Sequence, residues 1–385
     1  MGKEIQRILA IQGNSSYGAL NYFVDSLVYA WKKMGISVTV IPAIAETIYE
    51  EIQGGYDAII TMNGMGVEAN YNERRIIDCT KIPWYSFYVD HPLYHGYRLE
   101  HSEPAARNIF TDPTFTAYVD RYYSFYTGGK TVMQGGVTWC NNGIGYRDRK
   151  NDIVFFGSYS NYRYYAEQIE SWDPSMRAIF KRMLYHGLTN AELTIEMMLE
   201  KTLVEAEADL SDMEFRGIIE LTDVVEKYLR GKYREELICE LVNAGIVVGV
   251  YGDGWETVKC EGQENLRCHV SIDYKKMIEI MGDSRIVLNV MPWSKGGVHD
   301  RLINAMLSGA LVLSDNTSYL LGEENKYHHM LLYDLSDPKQ AVKKIKYYLK
   351  HEAEAEKIAL RGYDWALNGH TWEHRAEEIL SIMRN

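Results

Sequence analysis

Lys295, His299 and Arg301 fall on one short stretch, Ser294-Lys-Gly-Gly-Val-His-Asp-Arg301. A cation, an imidazole and a guanidinium around paired glycines suit an anion such as a diphosphate. Arginine grips two phosphate oxygens at once, and the N–H groups of a helix start add a further positive site. Asp300 is read as a helix-start residue that complements the dipole, and Asn304 lies one turn after the arginine. Gly297 lets the loop turn tightly. A second place with chemistry is Asp90-His91-Pro92. Either Asp90 or His91 is suited to take a proton from a hydroxyl, with Asp112 as a competing carboxylate.

These groups need elements to hold them. Arg285–Met291 is an apolar run that predicts a buried strand before the cationic loop, and Leu311–Ser314 predicts another after it. Pro83–Val89 reads as a strand that ends at Asp90. Along the first third, Arg7–Gln12, Ser37–Ile41, Ala58–Thr61 and Asn108–Thr111 also read as strands, and so does Arg121–Tyr126. Helical periods cover about Leu20–Met34 and Glu46–Ile52. Strands separated by helix-length segments indicate βαβ units and parallel sheets. A second series starts at Asp152–Phe156 and resumes at Ile246–Tyr251, Leu266–Val270 and Leu331–Tyr333, with a helix near Tyr274–Met281. Residues 161–244, rich in Glu, Leu, Met and Lys, read as a helical insertion without a catalytic signal. The end, from Pro338, is helical with breaks near His351 and Asn368-Gly369.

The fold class expected is therefore α/β, with two Rossmann-like, doubly wound domains facing across a cleft. The expected boundaries are 1–145, 146–365, and a last helix at 366–385 packing back on the first domain. Ligands of open parallel sheets bind beyond the carboxyl ends of the strands, so loops after strands supply the remaining candidates. In the first domain these are Asn14, Ser15 and Ser16. In the second they are Ser158 and Tyr159, then Tyr251, Gly252, Gly254 and Trp255, then Val270 and Tyr274.

A formal charge of −12 argues against general nucleic-acid binding, and no apolar run is long enough to span a bilayer. The amino terminus lacks the layout of a secretion signal. The five cysteines are scattered and odd in number. None forms a metal-ligand or CxxC pair, so reduced thiols in a cytoplasm are expected. No metal site is expected either.

Several stretches together resemble the GT-B glycosyltransferases, specifically the CgeB-like, "family 1" group of bacterial sugar transferases. They are Val248-Gly-Val-Tyr-Gly-Asp-Gly-Trp255, Ile286–Met291, Gly297-Val-His-Asp-Arg301 through Gly309, and Leu313–Leu320. Leu360–Tyr363 and His370-Thr-Trp372 extend the likeness, and Gly13–Tyr22 and Val89–Leu93 carry it into the first third. The resemblance implies sugar transfer from a nucleotide diphosphate sugar, with UDP the expected nucleotide and no metal or other cofactor. The acceptor it implies is a protein (flagellin or a spore-surface component) or a glycan. The second domain would hold the donor and the first the acceptor. Val270–Tyr274 would lie near the base. Asn304 stands where many relatives carry the Glu that holds the ribose. Gly296 stands where the first Glu of the retaining pair would fall, which leaves the stereochemistry open. A UDP-sugar epimerase of the same fold and a non-catalytic sugar-nucleotide-binding partner of another transferase are the alternatives.

Overall fold

The computed structural model describes residues 4–13, 15, 18–102, 106–123, 128–138 and 143–385. The chain divides into two compact units, Met1–Gly135 with His370–Asn385, and Gly136–Gly369.

The first unit is built on six parallel strands: β1 (Arg7–Gln12), β2 (Ser37–Pro42), β3 (Ala58–Met62), β6 (Trp84–Tyr88), β7 (Ala106–Phe110) and β8 (Lys130–Thr131). A small antiparallel hairpin, β4 (Asn70–Tyr71) and β5 (Arg74–Arg75), lies between β3 and β6. The helices are α1 (Ala19–Lys33), α2 (Ala45–Glu51), α3 (Gly96–His101) and α4 (Pro113–Tyr122). The order β2-β1-β3-β6-β7-β8 reverses direction at β1. β3 and β6 are buried at every residue, as central parallel strands covered on both faces must be.

One expected strand is helical. Arg121 and Tyr122 close α4, and Ser124–Tyr126 lie outside the described residues. Asp112 caps the helix by accepting the Thr114 N–H at 2.7 Å, and Pro113 occupies its first position. Phe115, Tyr118, Val119 and Tyr122 then repeat at helical spacing and are all buried. A run of tyrosines imitates a strand, but the cap and the period decide.

The second unit carries the strands β9 (Asn151–Phe156), β10 (Val248–Tyr251), β11 (Leu266–His269), β12 (Ser284–Asn289), β13 (Leu311–Asp315) and β14 (Leu331–Tyr333). They form a parallel sheet in the order β11-β10-β9-β12-β13-β14. This sheet switches direction between β9 and β12. The expected insertion between β9 and β10 is five helices: α5 (Tyr162–Ser171), α6 (Pro174–Thr189), α7 (Ile195–Glu205), α8 (Asp212–Ile219) and α9 (Asp223–Asn243). Then come α10 (Tyr274–Gly282), α11 (Asp300–Leu307), α12 (Ser318–Tyr327), α13 (Lys339–Lys350) and α14 (Glu352–Gly369). The last helix, α15 (Trp372–Arg384), is part of the first unit. Its Trp372 is buried 5.0 Å from the Phe23 ring of α1, and the Trp31 indole donates to Ala376 O at 3.0 Å.

The cysteines depart from expectation. Cys239 and Cys260 form a disulfide across 21 residues, while Cys79 and Cys268 are free thiols. The pair is invisible as a spacing motif because the fold creates it. The chain after β10 returns to the end of α9, where Gly262 N–H donates to Asn243 Oδ1 at 2.8 Å and Asn265 Nδ2 donates to Val242 O at 2.9 Å. Among the described residues no helix is long and apolar enough to cross a membrane.

Candidate functional site

The second sheet changes direction between β9 and β12, and open α/β sheets bind ligands beyond such a point. Three guanidinium groups converge there on two aromatic rings. Arg301, in the first turn of α11, lies 5.5 Å from the Phe155 ring centroid and donates from Nη1 to Asn289 Oδ1 at 3.0 Å. Phe155 is near the end of β9, and Asn289 is the last residue of β12. Arg234, from α9, lies 5.4 Å from the same Phe155 ring and 5.7 Å from Trp293. Its Nη1 donates to Ser158 O at 2.7 Å. Arg230, one turn earlier, stacks 4.3 Å from the Trp293 centroid and pairs with Glu226.

Aromatic faces hold the cations by their quadrupoles but neutralise no charge. Arg234 and Arg301 are both buried, and each side chain makes one hydrogen bond to the described protein out of five donors. Burial pulls both groups below their ordinary range; Arg230 and Arg301 add to this at Arg234 against Glu226 and Asp315, while at Arg301 the nearby Asp300 and Asp315 oppose burial and Arg230 adds to it. A cluster of guanidiniums with spare N–H donors is chemically suited to an anion. A diphosphate supplies both the charge and the acceptors.

The loop residues surround this cluster in different ways. Gly297 is buried in the bend between Lys295 and His299. Lys295 is buried, and its ammonium donates to Ala191 O in the turn between α6 and α7. It lies close enough to Asp315 to favour that carboxylate's charge, although burial still raises the Asp315 pKa. His299 caps α11. Its Nδ1 lies 2.8 Å from Asp300 Oδ1 and 3.2 Å from the Arg301 amide. The imidazole thus ties the first turn of α11 to the loop before it. Asp300 is buried, which would raise its pKa. His299, Arg301 and the Tyr274 hydroxyl at 2.8 Å outweigh burial and hold it ionised below the ordinary range.

The glycine-rich turn after β10 meets the turn after β9. A Cβ on Gly252 would sit 2.5 Å from the Gly157 backbone, and one on Gly254 2.5 Å from Tyr159 O. Both glycines have positive φ (155° and 88°). Their small size is therefore used for backbone packing inside the protein. Ser158 Oγ accepts the Asp253 N–H at 3.2 Å. Trp255 is fully buried, donates to Gly157 O at 2.8 Å and packs on Phe155 and Tyr159. The Tyr159 hydroxyl in turn donates to Glu235 of α9. This shell fixes Ser158 against Arg234.

Tyr274 and Asn304 are hydrogen-bonded to each other beneath the first turn of α11. Asn304 is fully buried; its Nδ2 donates to the Tyr274 hydroxyl at 2.6 Å and its Oδ1 accepts the Val137 N–H at 3.0 Å. Tyr251 is half-buried and stacks between His269 at 4.3 Å and Phe156 at 5.1 Å. Val270 is 78% exposed.

In the first unit, Asn14 and Ser16 lie outside the described residues. Ser15 Oγ accepts the Leu20 N–H at 3.1 Å, at the start of α1. Asp90 follows β6, and its side chain is 59% exposed. Its Oδ2 accepts Asn63 Nδ2 at 2.8 Å. His91 is buried between Phe115 at 4.7 Å and Tyr118 at 5.5 Å, and its Nδ1 accepts the Leu93 N–H at 3.1 Å. Asp112 is buried at the cap of α4. Of these groups, Asp90 presents its carboxylate to solvent.

Sequence reasoning missed Arg230, Arg234 and Trp293. Arg230 and Arg234 stand four residues apart on α9, so they share a helix face. That spacing was the available signal, but in a charged helix it reads as a solvated surface.

Residues 233–381 match the family model described as glycosyl transferase-like. Curated proteins give no sequence match. Among solved structures, the α-glucosyltransferase AGT in complex with UDP is 10% identical over 99% of this chain and 100% of its own, with a TM-score of 0.62. Sucrose-phosphate synthase from Thermosynechococcus elongatus is 13% identical over 98% of each chain, with a TM-score of 0.55. HepE from Anabaena, in complex with UDP-glucose, is 11% identical over 98% of this chain and 99% of its own, with a TM-score of 0.52. Two parallel α/β sheets, a helical insertion and likeness along nearly the whole chain establish the GT-B glycosyltransferase fold, with a glycosyl transferase-like segment at residues 233–381.

Proposed function

We propose that this chain is a metal-independent glycosyltransferase of the CgeB-like group that moves a sugar from a UDP-sugar to a hydroxyl of a protein or glycan. The observation that carries the reading is the cluster of Arg230, Arg234 and Arg301 on Phe155 and Trp293, at the switch point of the second sheet. The structures of AGT with UDP and HepE with UDP-glucose support UDP as the nucleotide.

In the reaction, the acceptor oxygen forms a bond to the anomeric carbon while the bond from that carbon to UDP breaks. UDP leaves with the electron pair. Arg234 and Arg301 meet the developing charge with unused N–H donors, and the start of α11, capped by His299, adds to the positive field. Lys295 supplies a further cation. Asp90, rather than buried His91, takes the acceptor proton.

Calorimetry with UDP, followed by UDP release from UDP-glucose and other UDP-sugars, tests the reading. UDP binding that is lost in Arg301→Ala is expected. A folded wild-type protein with no affinity for UDP would overturn it.

A further inference from the structure

Asn63 follows β3 and sits beside the end of β6, the strand that leads to Asp90. It is buried, with a left-handed backbone (φ 50°) followed by Gly64, also left-handed (φ 65°). Asparagine tolerates this region better than most residues. Each of its polar groups has a defined partner. Its N–H donates to Phe87 O at 2.8 Å and its C=O accepts Arg98 Nη1 at 3.1 Å. Its Oδ1 accepts the Val89 N–H at 2.9 Å, and its Nδ2 donates to Asp90 Oδ2 at 2.8 Å. The side chain thus grips the backbone just before Asp90 and the carboxylate itself.

Among the described residues, His95, Arg98, His91, Tyr88 and Asp112 hold other partners or stand farther off. His95 Nε2 is 3.9 Å from Asp90 Oδ2, beyond hydrogen-bond range. Burial, with Arg98 and His91 adding to it, pushes the His95 pKa down to about 3, so its ring is neutral near pH 7 and forms no ion pair. Arg98 spends its charge on Glu68, with Nε 3.0 Å from Oε1. His91 faces Phe115 and Tyr118, Tyr88 stacks on Phe110, and Asp112 caps α4.

We propose that Asn63 is the positioning residue for Asp90, aiming one carboxylate oxygen inward so that the group meets the acceptor hydroxyl in a fixed orientation. This rests on the reading of Asp90 as the base. A plain structural tie between β3 and β6 would need only the bonds to Phe87 and Val89. The donor on Asp90 is the additional feature, and it stabilises the charged carboxylate.

The test uses the full chain with Asn63→Gly and Asn63→Asp. Glycine keeps the left-handed backbone and removes both side-chain bonds. Aspartate keeps the acceptor for Val89 but replaces the donor with an oxygen. Carbon-detected NMR titration of the Asp90 carboxyl, which needs no substrate, is expected to read a pKa about one unit higher in Asn63→Gly and higher still in Asn63→Asp. With UDP-glucose as the probe, the acid limb of kcat/KM moves up by the same amount, kcat falls about tenfold, and KM stays unchanged. An unmoved Asp90 titration in the folded variants overturns the proposal. So does an unmoved acid limb where Asp90→Asn is inactive. Full turnover by Asp90→Asn removes the base reading itself, a separate and distinguishable failure.

Discussion

Arg301 and Arg234 share one ring: their guanidinium carbons lie 5.5 Å and 5.4 Å from the centroid of Phe155. One arginine comes from α11, where an anion site is expected from the sequence, and the other from the helical insertion. Two buried cations held this near each other are destabilised in the protein alone, and both are pulled below their ordinary range. On the proposed reading, the diphosphate offsets this cost when it binds.

Removal of one of these cations should therefore weaken the anion complex while relieving the free protein. Charge-assisted hydrogen bonds contribute about 1.5–3 kcal/mol each, so Arg301→Ala and Arg234→Ala should each weaken UDP binding about tenfold to a hundredfold. Arg301→Lys should recover only part of it, because an ammonium lacks the planar fork. Calorimetry with UDP at two salt concentrations measures this. Equal affinity for the lysine variant and the wild type would argue for a point charge instead of a fork.

Acid should destabilise the fold through two buried histidines. His95 is held down to about 3 and His329 to about 4, both chiefly by burial. The unfolded chain takes up protons near pH 6.5, while the native chain refuses them until far lower. Stability therefore falls as pH drops from about 6.5 towards 4, by up to about 1.4 kcal/mol per pH unit for each group. Melting temperatures across this range should show a shallower slope in His329→Phe, whose ring can still pack on Trp365, 4.6 Å away in the native pair. An identical slope would remove His329 as a contributor.

Most of the scaffold was legible because it is periodic. β3, β6 and β12 are short buried runs, and α1 and α10 carry apolar residues on one face with glycine close to the stop. The cationic loop was legible because glycines and cations meet at a helix start. Arg234 was not, because α9 has apolar and charged residues on several faces and its sequence does not say which face meets the sheet. Gly252 and Gly254 were legible as special positions, yet their tight neighbours are the Gly157 and Tyr159 backbone. A sequence shows that a close approach occurs, but it does not show what approaches.

The disulfide gives a separate handle on α9. Bridging Cys239 and Cys260 closes a loop across 21 residues, which by chain-entropy reasoning stabilises the fold by about 3 kcal/mol. Reductant should lower the melting temperature of the wild type and leave that of a Cys239→Ser/Cys260→Ser variant unchanged. A thiol count of the unreduced protein under denaturant supplies the check. If all five cysteines react without reductant, the bridge is not formed in that preparation.

Asn304 tests whether the second unit tolerates the glutamate that the resembling sequences carry. Its carboxamide is fully buried, with the amide nitrogen on the Tyr274 hydroxyl and the oxygen on the Val137 N–H. Tyr274 already donates its proton to Asp300, so it has none for a second carboxylate. Glutamate would add a methylene to a filled site and place a charge near ionised Asp300, keeping at most the Val137 N–H as a donor among the bonds described. An unpaired buried charge costs about 3–5 kcal/mol, so Asn304→Glu should lower the melting temperature sharply without strengthening UDP binding. Asn304→Asp, which adds no volume, separates the two causes: comparable loss in both variants assigns the cost to charge, and a mild effect in Asn304→Asp assigns it to packing. A stable Asn304→Glu variant with tighter UDP binding would instead show that this position can open to the nucleotide, and the buried contact with Val137 would then be replaceable.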